Sequence, residues 1–193
     1  MRKLLLILLF IPVICSGQTK DDLFYLIDKF PVDKSGKVDF YIIDSVKNIS
    51  KENLHIRAIK AIDYFFKDSP SPMMPVYNDG NDMITYRGRF GRYERTKKTF
   101  SSVLIAYIYR FTLKIEYEDN WYRIDIYDIS ESIDNITTDL SDLLNKEYYN
   151  KARLTSSSLK TKYNSIFFIY NYLANNIKSI NEFMKKADKG AGK

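Results

Sequence analysis

The chain has 193 residues, and its 30 Lys and Arg against 24 Asp and Glu give a net charge of +6 at pH 7. A positive balance of this size permits an anionic partner without requiring one. One histidine and one cysteine are too few for the commonest zinc sites, so no metal and no other cofactor is predicted.

The first 17 residues have the pattern of a secretory signal peptide. Arg2 and Lys3 precede an apolar run over residues 4–14, which is shorter than the roughly 20 residues that a membrane-spanning helix needs. Small residues follow, and they predict cleavage between Gly17 and Gln18. The mature chain is therefore expected to be exported without a transmembrane segment, to the periplasm, the outer envelope or the medium.

Cys15 offers a second interpretation of this segment, because a bacterial lipoprotein begins at a lipidated cysteine. Ile14 precedes it, at a position where a lipoprotein signal has Gly, Ala or Ser, and this argues against lipidation. Cleavage after Gly17 removes the only cysteine. The mature protein is then predicted to be held together by its core, without a disulfide.

The first mature segment predicts a β-hairpin and then a helix. Residues 23–27 and 38–46 are rich in β-forming side chains, and Pro31 makes the first arm an edge strand or a lead-in to one. Ser50 is a predicted N-cap, and apolar residues at helical spacing continue from it to near Lys67. This helix is expected to lie across the sheet.

The next segment, residues 68–102, is marked by prolines and by a turn signal. Residues 68–75 contain three prolines and predict a connection. The Asn-Asp-Gly turn at 78–80 predicts a second hairpin, with arms at 76–77 and 83–90. The basic residues 91–102 are predicted to form a loop.

The clearest pattern in the chain covers residues 103–129. Odd positions from 103 to 117 are apolar or aromatic, whereas Arg110 and Lys114 stand at even positions. After the polar turn at 118–120, apolar residues again alternate with charged ones. This period of two predicts a pair of antiparallel strands with one buried face.

Helical spacing replaces the strand pattern after Ser130. Apolar residues over 133–144 predict a short helix, residues 155–158 a loop, and residues 166–184 the longest helix of the chain. The predicted fold class is α+β, a curved antiparallel sheet with the first helix and the long C-terminal helix packed on one face. The predicted segments are a signal peptide (1–17), an α+β domain (18–131), a C-terminal helical segment that packs on the sheet (132–187) and a tail (188–193).

Several short motifs resemble those of a bacterial family. They are Phe30-Pro-Val-Asp33, Gly36-Lys-Val38, the Ser50–Leu54 helix start and Tyr122-Arg-Ile124. Over residues 25–130 the chain is similar to domain-of-unknown-function family 4468, whose fold is like that of the TATA-binding protein. The resemblance implies a curved sheet with helices on one face and a periplasmic or outer-envelope location. It implies no catalytic residues.

Charged and aromatic side chains on the polar face of the sheet predict a binding surface. The candidate residues are Arg87, Arg89, Arg92, Lys114, Trp121 and Arg123. They are expected to bind a small anionic ligand or another envelope protein, and the alternative is a solvated, solubilising face. Nucleic acid is not expected, because the strand aromatics share the apolar face with Ile and Leu, as core residues do.

An envelope hydrolase that uses Ser or Asp groups is the alternative function. Asp125 and Asp128 differ in phase along one strand, so they are not expected to converge as an acid–base pair. His55, the only histidine, flanks the apolar face of the first helix and is not expected to act as a base. A non-enzymatic binding module is therefore the favoured prediction.

Overall fold

The computed structural model describes residues 19–66, 76–77, 82–98, 101–134 and 136–186. Its elements are α1 (Lys20–Ile27), β1 (Phe40–Ser45), α2 (Lys51–Phe66), β2 (Val76–Tyr77), β3 (Met83–Lys98), β4 (Ser101–Glu118), β5 (Trp121–Ile133), β6 (Ile136–Asp139), α3 (Leu140–Leu143), α4 (Lys146–Lys151) and α5 (Ser156–Lys185). Within these ranges no helix is both long and apolar enough to span a bilayer.

The strands form one antiparallel sheet in the order β1-β5-β4-β3-β2, and β6 pairs with the last residues of β5. The predicted hairpin is confirmed as β4 and β5, joined by a turn at Asp119 and Asn120. Odd positions of β4 from Tyr109 to Tyr117 are buried. The predicted α+β class with an antiparallel sheet is confirmed, and the sheet is open.

A β-bulge divides β5 into two halves. Arg110 pairs with Ser130 and Thr112 with Tyr127, so that the single residue Phe111 stands opposite two residues of β5. One of these, Asp128, has a φ of 50°, a left-handed conformation that aspartate tolerates better than most residues. The bulge bends the strand and shifts the alternation of its side chains.

Helices α2 and α5 cover one face of the sheet, and α1 packs against α5. α2 buries Leu54, Ala58 and Ile62, and α5 lies beside it and also contacts α1, β1 and β5. Arg57 of α2 is buried and donates from Nη1 to the carbonyl oxygen of Met184 at 2.8 Å, which satisfies an acceptor in the last turn of α5. The helix-covered face therefore holds the core.

The turn between β4 and β5 fixes the start of α2. Asn120 Oδ1 accepts from the Ile49 amide at 3.0 Å, and Asp119 Oδ1 accepts from the Lys51 amide at 2.8 Å. Ser50 Oγ accepts from the Asn53 amide at 3.4 Å, in agreement with its predicted role as N-cap. The central hairpin thus positions the helix that packs on it.

The first arm of the predicted N-terminal hairpin is a helix, so that prediction was wrong. Thr19 caps α1 through a capping box with Asp22. Leu23, Leu26 and Ile27 are buried at helical spacing, and this packing outweighs the β preference of the segment. Of the predicted pairing, one isolated bridge between Val32 and Val38 is present.

Three other boundaries differ from the predictions. Most of residues 91–102 belong to β3 and β4, whose backbone pairing shows strands where a basic loop was predicted. Residues 136–139 form β6 beside β5, so the predicted domain boundary after residue 131 falls inside a strand. Thr155 caps α5, so residues 156–158 are helical.

Several predictions lie outside the described residues. They are the signal peptide with its cleavage site at Gly17 and Gln18, lipidation of Cys15, the connection at 68–75, the turn at 78–80 and the tail at 188–193.

Candidate functional site

The face of the sheet that points away from α1, α2 and α5 is called the open face. Even positions of β4 and odd positions at the start of β5 point to it, and Tyr41 and Ile43 on the edge strand β1 are 56% and 52% exposed there. Arg87 and Arg89 of β3 extend from the same side. Three cavities on the open face are lined by residues that the structure describes.

The first, called the arginine cavity, has a volume of about 390 Å³ and lies where β3, β4 and β5 meet at the bulge. Arg87, Arg89 and Arg110 line it, together with the single carboxylate of Asp128. Strand pairing brings the arginines together, because Arg89 stands opposite Arg110. Ser132 Oγ accepts from Arg110 Nη1 at 2.5 Å, which holds that guanidinium in place.

An excess of three guanidinium groups over one carboxylate suits an anion. Guanidinium presents a planar fork of donors that matches carboxylate and phosphate oxygens. Thr112 and Ser130 line the same cavity and add hydroxyl groups. Arg87 and Arg89 were predicted as site residues, and Arg110 was predicted to lie on the polar face that carries the site.

The second, called the aspartate cavity, has a volume of about 310 Å³ and adjoins the first, since Asp128 lines both. Two of the three cations that line it, Lys114 and Arg123, are already paired. Lys114 Nζ lies 3.0 Å from Glu116 Oε1, and Arg123 donates from Nε to both carboxylate oxygens of Asp125. Lys114 and Arg123 were predicted to bind an anion, but each already forms an ion pair with a neighbouring carboxylate.

Asp39 also lines the aspartate cavity, and the sequence did not suggest it as a site residue. Its Oδ1 atom is buried and has no hydrogen-bond partner among the described residues. Burial and the nearby charge of Asp125 raise the pKa of the Asp39 carboxyl above its ordinary value. The residue stands just before β1, far from β5 along the chain, and no motif marks it.

Asp125 and Asp128 line one cavity, although their positions were expected to differ in phase along the strand. The bulge explains the difference, because it shifts the phase of β5 between these residues. Asp125 is paired with Arg123, so this convergence alone does not make an acid–base pair.

Trp121 borders the third cavity, of about 340 Å³, which lies near the turn between β4 and β5. The other polar side chains that line it include the carboxylates of Asp82, Glu116 and Glu118. Trp121 is thus separated from the arginine cavity and has acidic neighbours.

Arg92 is on the opposite face of the sheet from Arg87 and Arg89, so it is not part of the candidate site. It donates from Nη2 to Ser165 Oγ of α5 at 2.5 Å, and its guanidinium lies 4.6 Å from the centre of the Tyr107 ring. The cause is the strand alternation, since 87 and 89 are odd and 92 is even. The three arginines were predicted to form one site because they are close in sequence, but the strand alternation places Arg92 on the other face.

His55 lies on the helix-covered face, where its Nδ1 is 2.5 Å from the Tyr117 hydroxyl. It lines none of the three cavities. In the described ranges, no group of three or more His, Cys, Asp or Glu side chains is arranged to hold a metal ion.

Comparison with solved structures finds the same fold in a DUF4468 family protein from Bacteroides ovatus ATCC 8483. The TM-score is 0.59 and the identity 15%, over 89% of this chain and 99% of that chain. A TBP-like protein from Parabacteroides distasonis ATCC 8503 has a TM-score of 0.49 and 18% identity, over 78% of this chain and 96% of that chain. No protein-family profile and no curated protein matches the sequence. The resemblance noted in the sequence is confirmed at the level of the fold, and at this identity it carries no residue roles.

Proposed function

We propose that the protein is an exported binding module of the bacterial cell envelope. In this proposal the arginine cavity takes up an anionic group, presented by a small ligand or by another envelope protein. One observation carries it, namely that Arg87, Arg89 and Arg110 line a cavity with a single carboxylate on the face that the helices leave uncovered. An envelope hydrolase gains no such support from the open face.

The charge distribution along the open face favours the arginine cavity over its neighbours. Lys114 and Arg123 are each within hydrogen-bond distance of a carboxylate, so an anion at the aspartate cavity would compete with groups already in place. The cavity at Trp121 is acidic and would repel an anion. An anionic group is therefore expected to bind beside Arg87 and Arg110.

Export is supported by the pattern of residues 1–17, in which a basic start and a short apolar run precede small residues. N-terminal sequencing of the protein recovered from its host should begin at Gln18. A chain that begins at Met1, or at a lipidated Cys15, would contradict this cleavage site.

Replacing Arg87 by Gln should weaken anion binding about tenfold, because one charge-assisted pair of hydrogen bonds is lost. A suitable probe is N-acetyl-tetraalanine, whose only charge is its C-terminal carboxylate. Isothermal titration calorimetry at low salt measures its Kd for the purified protein. Arg87 is exposed on its strand, so the substitution is expected to leave the fold intact.

Arg153→Gln is the matched control, because Arg153 is exposed before α5 and the change in net charge is the same. It should leave the Kd unchanged. Equal weakening in the two variants would show that only net charge matters. Absence of binding to the unsubstituted protein would contradict the anion site itself.

A further inference from the structure

The arginine cavity and the aspartate cavity differ in the sign of their net charge, counted over the side chains that line each of them. In the aspartate cavity Arg123 is paired with Asp125, and Asp33 Oδ1 accepts from the backbone amides of Ser35 and Lys37 within its own turn. Counted over its lining, the cavity has four carboxylates and three cations, the latter being Lys37, Lys114 and Arg123, and Lys114 is also paired with Glu116, so negative charge remains in excess. This cavity therefore suits a cation, next to a cavity that suits an anion.

We propose that the open face binds a short, extended peptide by its two charged ends. The C-terminal carboxylate occupies the arginine cavity, and the free N-terminal ammonium lies against Asp39 in the aspartate cavity. This inference rests on the proposed function, since it places the carboxylate in the same arginine cavity, and it adds the chemical class of the ligand.

The spacing of the strands sets the length of that ligand. Asp39 directly precedes Phe40, which pairs with Ile126 of β5, and β4 separates β5 from Arg87 of β3. Three strand spacings of about 4.8 Å give about 14 Å between the backbones at the two ends. An extended chain covers about 3.4 Å per residue, so a peptide of about four residues spans the distance.

Asp39 is suited to an ammonium group. Its Oδ1 is a buried acceptor without a hydrogen-bond partner among the described residues, and an ammonium supplies up to three N–H donors. Burial and Asp125 disfavour the charged form of Asp39 in the free protein, as its raised pKa shows. A cation beside it offsets that cost. Binding of the ammonium thus satisfies a group that the fold leaves unsatisfied.

The test compares three peptides of one length by isothermal titration calorimetry. Tetraalanine carries both charges, N-acetyl-tetraalanine only the carboxylate, and tetraalanine amide only the ammonium. Tetraalanine should bind about tenfold more tightly than N-acetyl-tetraalanine, since a charge-assisted contact is added. Dialanine should gain nothing over N-acetyl-dialanine, because its two ends cannot reach both cavities.

Asp39→Asn should remove the tenfold difference and leave the affinity for N-acetyl-tetraalanine unchanged. Asp63→Asn, on an exposed position of α2, is the control with the same change in charge, and it should leave both affinities unchanged. Equal binding of the free and acetylated peptides would contradict the proposed ammonium contact with Asp39. It would not contradict binding of the carboxylate in the arginine cavity. If neither carboxylate peptide bound, the proposed function would fail as well.

Discussion

Gly88→Ala is expected to destabilise the protein by about 3 kcal/mol, because no room exists for a methyl group at this position. A Cβ built on Gly88 would lie 2.3 Å from Phe111 Cζ and 2.8 Å from Tyr86 Cε1. Gly88 pairs with Phe111 across the sheet, and the Phe111 ring is held in the core by Phe66 and Phe90. The ring cannot move aside without disturbing that packing.

Urea denaturation followed by circular dichroism measures this loss, and Gly91→Ala is the control. Gly91 is on the same strand but exposed, and its added Cβ would meet the Tyr107 carbonyl oxygen at 3.0 Å. That substitution should cost about 1 kcal/mol or less. The double variant Gly88→Ala/Phe111→Leu should be more stable than the sum of the two single losses implies, because the smaller side chain relieves the clash. Additive losses would contradict the steric account.

Arg123→Met should cost about 2–3 kcal/mol, because it leaves the Asp125 carboxylate in a buried position without its cation. The Asp125 side chain is 3% exposed, and Arg123 Nη2 lies 2.6 Å from Asp125 Oδ1. Arg123 is itself 34% exposed, so part of its charge is solvated and the expected loss is below that of a fully buried pair. Methionine keeps most of the aliphatic stem and thus isolates the effect of charge.

The comparison for this prediction is Lys114→Met, which removes the cation of a pair on the neighbouring strand. Its partner Glu116 is 34% exposed, so water replaces the lost contact and the cost should be below about 1 kcal/mol. Adding Asp125→Asn to Arg123→Met should recover most of the stability, since the amide carries no charge to leave unpaired. If Lys114→Met and Arg123→Met unfolded at the same urea concentration, the burial of Asp125 would not explain the loss of stability in Arg123→Met.

The elements that could be predicted from sequence are those whose pattern is long and local. The alternation over residues 103–129 has one dominant period, and β4 and β5 follow it. Apolar steps of three and four residues likewise predicted most of α5. In the segment 23–27 two signals competed, because the same aromatic and branched residues favour a strand but are spaced for a helix face. Packing against α5 decided in favour of the helix.

The sequence predicted only those parts of the candidate site that depend on the alternation of side chains within one strand. Arg87 and Arg89 were placed correctly on one face of β3, whereas Arg92 was not, because its position was read without the alternation of the strand. Arg110 joins the arginine cavity by pairing with Arg89. Asp39 joins the aspartate cavity through the register between β1 and β5, a non-local relation that no spacing in the sequence expresses.

The central claim is that the arginine cavity of the open face is where an anionic group binds. Titration of isotopically labelled protein with N-acetyl-tetraalanine, followed by ¹H–¹⁵N correlation spectra, tests it directly. The largest shifts should fall on residues 87–89, 110–112, 128 and 130, which line the cavity. They should be lost in Arg87→Gln and retained in Arg153→Gln. Shifts confined to the helix-covered face, or no saturable shift at all, would contradict the account.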